Sequence, residues 1–231
     1  MALINKTFRC GVTIKYDNDD KYESRAEELG HINPSLEFWL KENASSVNNA
    51  LVVGAGFGLS SKQLVDAGAT VTSIEPEFFR FALLESNVPE STNYKKMCGS
   101  ENGTGNLYYY DDNKSGAQLN NEMGNGSEEV DVITVDSLNL TLDLMLVYAN
   151  GKELDVIDGA SETILNNPEM KIIMKWIPDL LFDVDASITK LNSYGKTIKI
   201  IHWEDSDDTI SYKDVTDEKL KAVVSADLLL E

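Results

Sequence analysis

The sequence predicts the α/β fold class, with a doubly wound, mostly parallel sheet and helices on both of its faces. Short apolar runs typical of buried strands alternate with amphipathic helical segments, which favours parallel strands joined by helices. The first such unit, residues 50–75, has the pattern strand, glycine-rich turn, helix and second strand. A length of 231 residues with 42% hydrophobic content suits one domain over 1–231 with a full core.

Local signals place the individual elements in order along the chain. Asn33 is suited to cap a helix that carries Pro34 at its first position. Residues 1–31, which precede that cap, are expected to form an N-terminal extension or lid. We expect strands at 50–53, 70–74, 142–148, 171–177 and 197–203, and helices at 60–67, 76–88, 151–165 and 184–194.

Residues 98–136 interrupt this alternation. They are rich in Gly, Asn and Asp and lack helical periodicity. Two strand-like runs, 107–110 and 130–135, lie within them. We therefore expect a strand-rich insertion after the second strand–helix unit, beside the active face of the sheet.

The glycine-rich turn predicts a bound nucleoside. Gly54, Gly56 and Gly58 let the backbone turn sharply and approach a ligand without Cβ clashes, and the amino end of the next helix would face the same ligand. Glu75 ends the second strand, where a carboxylate can accept hydrogen bonds from both ribose hydroxyls. Glycines also serve tight turns in proteins that bind nothing, so a purely structural turn is the alternative.

The glycine spacing helps to choose the nucleoside. A dinucleotide turn has glycines at its first, third and sixth positions, but the sixth position here is Leu59, and the third glycine comes one residue earlier, at Gly58. This spacing resembles the S-adenosylmethionine turn of Rossmann-like methyltransferases. It disfavours a third interpretation, an NAD-dependent oxidoreductase.

Charge and composition disfavour several classes of function. Against 20 basic residues stand 39 acidic ones, a formal charge of −19, so a nucleic-acid backbone would be repelled. No apolar run approaches the ~20 residues of a membrane span, and the first residues lack a signal-type core. Cys10 and Cys98 are too few for a disulfide framework and lack metal-ligand spacing. We expect a cytoplasmic protein that acts on a small molecule, without metal, membrane or nucleic acid, and the oligomeric state is left open.

From about residue 32 onward, the chain resembles the FkbM-like family of S-adenosylmethionine-dependent methyltransferases. The segments that carry the resemblance are VVGAGFG, SIEPEFFRFALLESNV, GSENGTGNLYYYDDNKSGAQL, VITVDSL, GKELDVIDGASETIL and IIMKWIPDLL. Their collinear order is more specific than the glycine turn alone. The resemblance implies that Gly54, Gly56, Phe57, Gly58 and Glu75 bind S-adenosylmethionine. It also implies methyl transfer to a hydroxyl of a sugar-containing or other small metabolite.

The departures from the family pattern lie where the chemistry would take place. The family usually carries an acidic residue two positions before the first glycine, where this chain has Val52. A Lys-hydrophobic-Asp-hydrophobic-Glu-Gly pattern normally ends its fourth strand, and the three charged positions are occupied here by Leu146, Tyr148 and Asn150. A lysine, Lys175, stands instead on the adjacent strand, where the family often has a glutamate.

Methyl transfer to a hydroxyl requires positioning and removal of the acceptor's proton, and the catalytic candidates are Glu153, Lys175 and His31. Each has a structural alternative. The helix dipole favours Glu153 at the start of a helix, Lys175 can point its ammonium to water, and His31 can be a solvated loop residue. The missing charges also support a rival function, a catalytically weakened methyltransferase-like protein that serves as a binding or assembly module.

Overall fold

The structure, a computed structural model, describes residues 3–19, 26, 28–110, 113–119 and 125–231, with the side chains of 110 and 113–119 left aside. The strands with described bounds are β1 Leu3–Thr7, β2 Thr13–Asp17, β3 Asn49–Val53, β4 Thr70–Ile74, β5 Thr92–Tyr94, β6 Met97–Cys98, β7 Gly103–Tyr110, β8 Asn113–Leu119, β9 Gly126–Ile133, β10 Leu144–Val147, β11 Lys171–Trp176, β12 Ile198–Glu204, β13 Thr209–Asp214 and β14 Ala226–Leu230. The α-helices with described bounds are α1 Pro34–Asn43, α2 Leu59–Asp66, α3 Phe78–Asn87, α4 Glu153–Asp158, α5 Ser161–Asn166, α6 Val184–Ser193 and α7 Asp217–Ala222.

Eight strands form the central sheet, in the order β13-β12-β14-β11-β10-β3-β4-β5. Strands β5, β4, β3, β10 and β11 are parallel, whereas β14 lies antiparallel between β11 and β12. The strand order reverses between β3 and β10, because the chain continues from β3 to β4 on one side and from β10 to β11 on the other. In doubly wound sheets, ligands bind at this switch point, outside the carboxyl ends of the strands.

Both faces of the central sheet are covered by helices, as the sequence predicts. On one face, side chains such as Leu146 and Ile173 pack against α1, α2 and α3. On the other face, Met145 and Ile172 pack against α4, α5 and α6. The cap predicted at Asn33 is present: its side chain accepts a hydrogen bond from the backbone of the first turn of α1, which begins at Pro34.

One predicted helix, 151–165, is divided into α4 and α5. The break occurs near Gly159, where an added Cβ would lie 2.1 Å from the backbone oxygen of Gly99. Asp136 then accepts hydrogen bonds from the backbone of Glu162 and Thr163, which fixes the start of α5. Contact with the chain that leaves β6 thus interrupts the helical periodicity seen in the sequence.

The strand-rich insertion is confirmed as a separate four-stranded sheet of order β6-β9-β7-β8. The N-terminal hairpin, formed by β1 and β2, is a third sheet. Its aromatic residues Phe8 and Tyr16 contact the ring of Phe57 in the glycine turn, with centroids 6.5 and 6.0 Å apart. The hairpin therefore lies against the turn that follows β3.

Candidate functional site

A cavity of about 910 Å³ opens at the carboxyl ends of the parallel strands. The chain that follows β3, β4, β10 and β11 contributes to its lining, and the first turn of α1 lies along it. Cavities that hold cofactors and small ligands have volumes of about 300–1,000 Å³. The switch point of the sheet thus coincides with a cavity large enough for a nucleoside cofactor and a small second ligand.

The three glycines of the turn have left-handed backbone conformations, with φ of +76°, +57° and +97° at Gly54, Gly56 and Gly58. An added Cβ at Gly54 would lie 1.9 Å from the backbone oxygen of Tyr148, and one at Gly58 would lie 2.8 Å from Val88. These two glycines therefore allow close packing. At Gly56, the atoms nearest to an added Cβ belong to the guanidinium of Arg80, at 3.2 Å, and both residues line the cavity.

Glu75 lies in the cavity wall beside the glycine turn. Its Oε2 accepts a hydrogen bond from the backbone N–H of Gly56 at 2.8 Å, and its Oε1 accepts one from Glu77 at 3.0 Å. Burial raises the pKa of Glu75, whereas the charge of Arg80 and the two backbone N–H groups lower it. Each carboxylate oxygen has a second lone pair, so Glu75 can still accept hydrogen bonds from a ligand.

Phe57 is 2% exposed and connects the turn to the hairpin. The guanidinium of Arg80 lies 5.7 Å from the centroid of its ring, a cation–π arrangement. Arg80 also lines the cavity, next to Glu75. Sequence reasoning gave this arginine no role, although its place in the first turn of the helix after Glu75 is readable from the pattern.

Four polar side chains meet at the other end of the cavity, and we call them the polar cluster: Asn33, Tyr148, Lys175 and Asp227. Asp227 Oδ1 accepts hydrogen bonds from Asn33 Nδ2 and the Tyr148 hydroxyl, both at 3.0 Å. The Lys175 ammonium lies 3.4 Å from the same oxygen. Asp227 is only 5% exposed, and all four residues line the cavity.

Lys175 is therefore the one catalytic candidate that the structure places in the cavity. It lies opposite Asp227 in the antiparallel pairing of β11 and β14. The described residues that line the cavity include neither Glu153 nor His31. Asn150, named with Lys175 in the sequence analysis, does line it and has a left-handed backbone, with φ of 49°.

Glu153 has a clear structural role. Its Oε1 accepts a hydrogen bond from Ala149 at 2.9 Å, and its Oε2 accepts one from Gly151 at 3.0 Å. Burial raises its pKa, and these backbone N–H groups lower it. The side chain thus holds the turn after β10, whose residues Ala149 and Asn150 line the cavity.

His31 packs edge-on against Trp203, with ring centroids 4.9 Å apart. Burial, together with the nearby charge of Arg9, lowers its pKa. Arg9 in turn forms ion pairs with Asp205 at 2.9 Å and Asp208 at 2.6 Å. His31 belongs to this contact between the N-terminal hairpin and the loop after β12, whereas His202 of β12 lines the cavity.

Two buried carboxylates near the site are not apparent from sequence reasoning, Glu37 and Asp227. Glu37 lines the cavity from α1, is 1% exposed, and accepts hydrogen bonds from the backbone of Ile32 and Asn33 through Oε1. Burial raises its pKa. Its spacing from Asn33 suggests a helix-capping residue, whereas Asp227 has a weaker signal, one acidic residue at the start of a short apolar run.

Comparison with known proteins identifies the fold. No protein-family model matches this chain, and no curated protein matches it. Among solved structures, a TehB-like SAM-dependent methyltransferase from Corynebacterium glutamicum is similar, with a TM-score of 0.52 and 12% identity over 92% of this chain and 97% of that one. The chain has an α/β Rossmann-like fold.

Two further solved structures are more distant. A ribosomal protein methylase from Lactobacillus delbrueckii subsp. bulgaricus has a TM-score of 0.47 and 10% identity, over 85% of this chain and 77% of that one. A 16S rRNA methyltransferase from T. thermophilus, in complex with AdoMet and guanosine, has a TM-score of 0.48 and 11% identity, over 100% of this chain and 50% of that one.

In the described part of the chain, no helix has both the length and the apolar character needed to cross a bilayer. The same residues contain no group of three or more His, Cys, Asp or Glu side chains arranged to hold a metal ion.

Proposed function

We propose that the protein is an S-adenosylmethionine-dependent methyltransferase that binds its cofactor between the glycine turn and Glu75. The observation that carries the proposal is the position of Glu75, whose carboxylate accepts a hydrogen bond from Gly56 and lines the cavity. Glu75 therefore lies beside the glycine turn, where a carboxylate can accept hydrogen bonds from a ribose. The Rossmann-like fold supports the same cofactor.

The residues around Glu75 suit an adenosine. Ile74, Pro76, Met97, Cys98 and Leu107 line the cavity on this side and offer an apolar surface to the adenine ring. Glu75 would accept hydrogen bonds from the ribose hydroxyls, and the N-terminal turn of α2 would face the remaining polar part of the ligand. When bound, S-adenosylmethionine supplies an electrophilic methyl group carried by a sulfonium.

We further propose that the methyl acceptor is a hydroxyl of a sugar-containing or other small metabolite, as in the FkbM-like family that the sequence resembles. The polar cluster supports this assignment, because it provides hydrogen-bonding groups at the end of the cavity away from Glu75. In this proposal Lys175 orients the acceptor oxygen, whereas Glu153 holds the turn after β10 and His31 packs against Trp203. The formal charge of −19 supports a small molecule over a nucleic acid.

A second candidate function is a methyltransferase-like binding module that has lost catalysis. Val52 and Leu146 favour it, because both are buried apolar residues, 2% and 0% exposed, where the family carries charged groups. The polar cluster favours the enzyme, because it brings a carboxylate and an ammonium into the cavity although Val52 and Leu146 are apolar. Measured turnover separates the two functions.

Calorimetry of the purified protein with S-adenosylmethionine, S-adenosylhomocysteine and NAD tests the cofactor. We expect both adenosyl ligands to bind and NAD to fail, since the turn lacks a glycine at its sixth position. Binding of NAD alone would contradict the proposal. Binding of none of the three would favour the module without cofactor.

A matched pair of lysine variants tests the acceptor end. Lys175→Met should reduce methyl transfer to hydroxylated compounds and leave S-adenosylhomocysteine binding unchanged. Lys171→Met is the control, because Lys171 lies on the same strand at its opposite end, where it is 3.4 Å from Glu231. Equal activity in the two variants would contradict a role for Lys175.

A further inference from the structure

In the part of the chain that the structure describes, the two carboxylate oxygens of Asp227 differ in their hydrogen bonding. Every hydrogen bond that the described residues make to this side chain ends on Oδ1, from Asn33, Tyr148 and Lys175. Oδ2 receives no hydrogen bond from these residues. It is also not sealed from solvent. Because Asp227 is 5% exposed and lines the cavity, the accessible surface of Oδ2 opens into the cavity.

We propose that Asp227 binds the hydroxyl of the methyl acceptor and takes its proton. Asn33, Tyr148 and Lys175 are then positioning residues, since their three contacts with Oδ1 fix the plane of the carboxylate and direct Oδ2 toward the acceptor. This inference rests on the proposed function and assigns the acceptor side of the same cavity.

The chemistry of the cluster selects a neutral hydroxyl as the acceptor. The ammonium of Lys175, 3.4 Å from Oδ1, balances the charge of Asp227, so the cluster has little net attraction for a cationic amine. A hydroxyl needs what the cluster offers, one oxygen that accepts its proton and a cation that stabilises the negative charge developing on its oxygen.

The proposed methyl transfer needs no co-reactant beyond the acceptor, S-adenosylmethionine and Asp227. The acceptor oxygen forms a bond to the methyl carbon while the carbon–sulfur bond breaks. The electron pair of the broken bond stays on sulfur as a neutral thioether, and the O–H bond of the acceptor gives its proton to Asp227 Oδ2. A positioned proton acceptor of this kind contributes about 10²–10⁴-fold to the rate.

Asp227→Asn is the decisive variant, because it keeps the shape of the side chain and removes its basicity. Glu169→Gln is the control. Glu169 is an exposed carboxylate in the loop before β11, at the amino end of that strand. Methyl transfer from radiolabelled S-adenosylmethionine is measured with catechol, methyl α-glucoside and glycerol as hydroxyl acceptors. Benzylamine is the cationic comparison. S-adenosylhomocysteine affinity, measured in parallel, reports on the fold and on the cofactor site.

We expect the wild type and Glu169→Gln to label a hydroxylated compound in preference to benzylamine. Asp227→Asn should lower kcat by about 10²–10⁴-fold, and Asp227→Glu should recover part of the activity. A readout independent of turnover is the affinity of the methylated hydroxyl compound's unmethylated form for the protein with S-adenosylhomocysteine bound. Asp227→Asn should weaken this affinity by about fivefold, because a charge-assisted hydrogen bond becomes a neutral one.

Two results would overturn the assignment while leaving the cofactor site intact. One is an Asp227→Asn protein that keeps the wild-type kcat. The other is a wild type that binds S-adenosylhomocysteine but labels only benzylamine or nothing. If the wild type fails to bind S-adenosylhomocysteine at all, the proposed function itself is wrong, and the inference falls with it.

Discussion

Gly54, which follows β3, packs against the backbone of Tyr148, which follows β10, and its substitution tests the geometry of the switch point. An added Cβ would lie 1.9 Å from the backbone oxygen of Tyr148, and φ is +76°. The oxygen can move only if the two strands separate. The left-handed conformation costs alanine about 1–2 kcal/mol and forced overpacking about 1–3 kcal/mol, so Gly54→Ala should lower the free energy of unfolding by about 2–5 kcal/mol.

Gly68 provides the control for this prediction. It has φ of +99°, but nothing lies within 4 Å of an added Cβ. Gly68→Ala should therefore lose only the conformational part, about 1–2 kcal/mol. Urea unfolding of both variants measures the difference. Equal destabilisation would refute the argument that close approach to Tyr148 requires glycine at position 54.

Three further predictions concern the surroundings of the site. Gly56→Val should abolish S-adenosylhomocysteine binding with the sheet intact by circular dichroism; normal binding would make the turn purely structural. Burial raises the pKa of Glu37 above 4.5, so the wild type loses stability as pH rises through that raised pKa. The free energy of unfolding of Glu37→Gln should therefore increase relative to that of the wild type from pH 4 to pH 7. A constant difference between the two proteins would contradict this. Arg9→Gln, which removes the ion pairs to Asp205 and Asp208, should speed hydrogen exchange in β1 and β2, and less so in 1 M salt; unchanged exchange at low salt would show that these pairs do not hold the hairpin.

The sequence was sufficient for the elements whose signals are local. The cap at Asn33, the glycine turn and Glu75 at the end of β4 are each read from a few adjacent residues, and the structure has all three. The strand β14 was not predicted, because it is a short apolar run after a charged segment, with no helix to mark it as part of a repeating unit. Its antiparallel position between β11 and β12 depends on tertiary contacts, which no local sequence pattern shows.

The acceptor end of the cavity was beyond sequence reasoning for the same reason. The hydrogen bond from Asn33 to Asp227 joins residues 194 positions apart, and no local pattern connects them. Lys175 was identified from its residue type and its strand, but its partner Asp227 comes from β14. For Glu153 the local argument, a carboxylate at a helix start, is consistent with the structural role that the hydrogen bonds show.

The most direct test of cofactor binding at Glu75 compares two carboxylates with matched burial and hydrogen bonding but different positions relative to the cavity. Glu75 and Glu153 are each 5% exposed and each accept two backbone hydrogen bonds, but only Glu75 is among the described residues that line the cavity. Calorimetry with S-adenosylhomocysteine on Glu75→Gln and Glu153→Gln should show a loss of about 1.5–3 kcal/mol for the first, roughly a 10- to 150-fold rise in Kd, and no change for the second. Equal affinity of the two variants would contradict cofactor binding at Glu75.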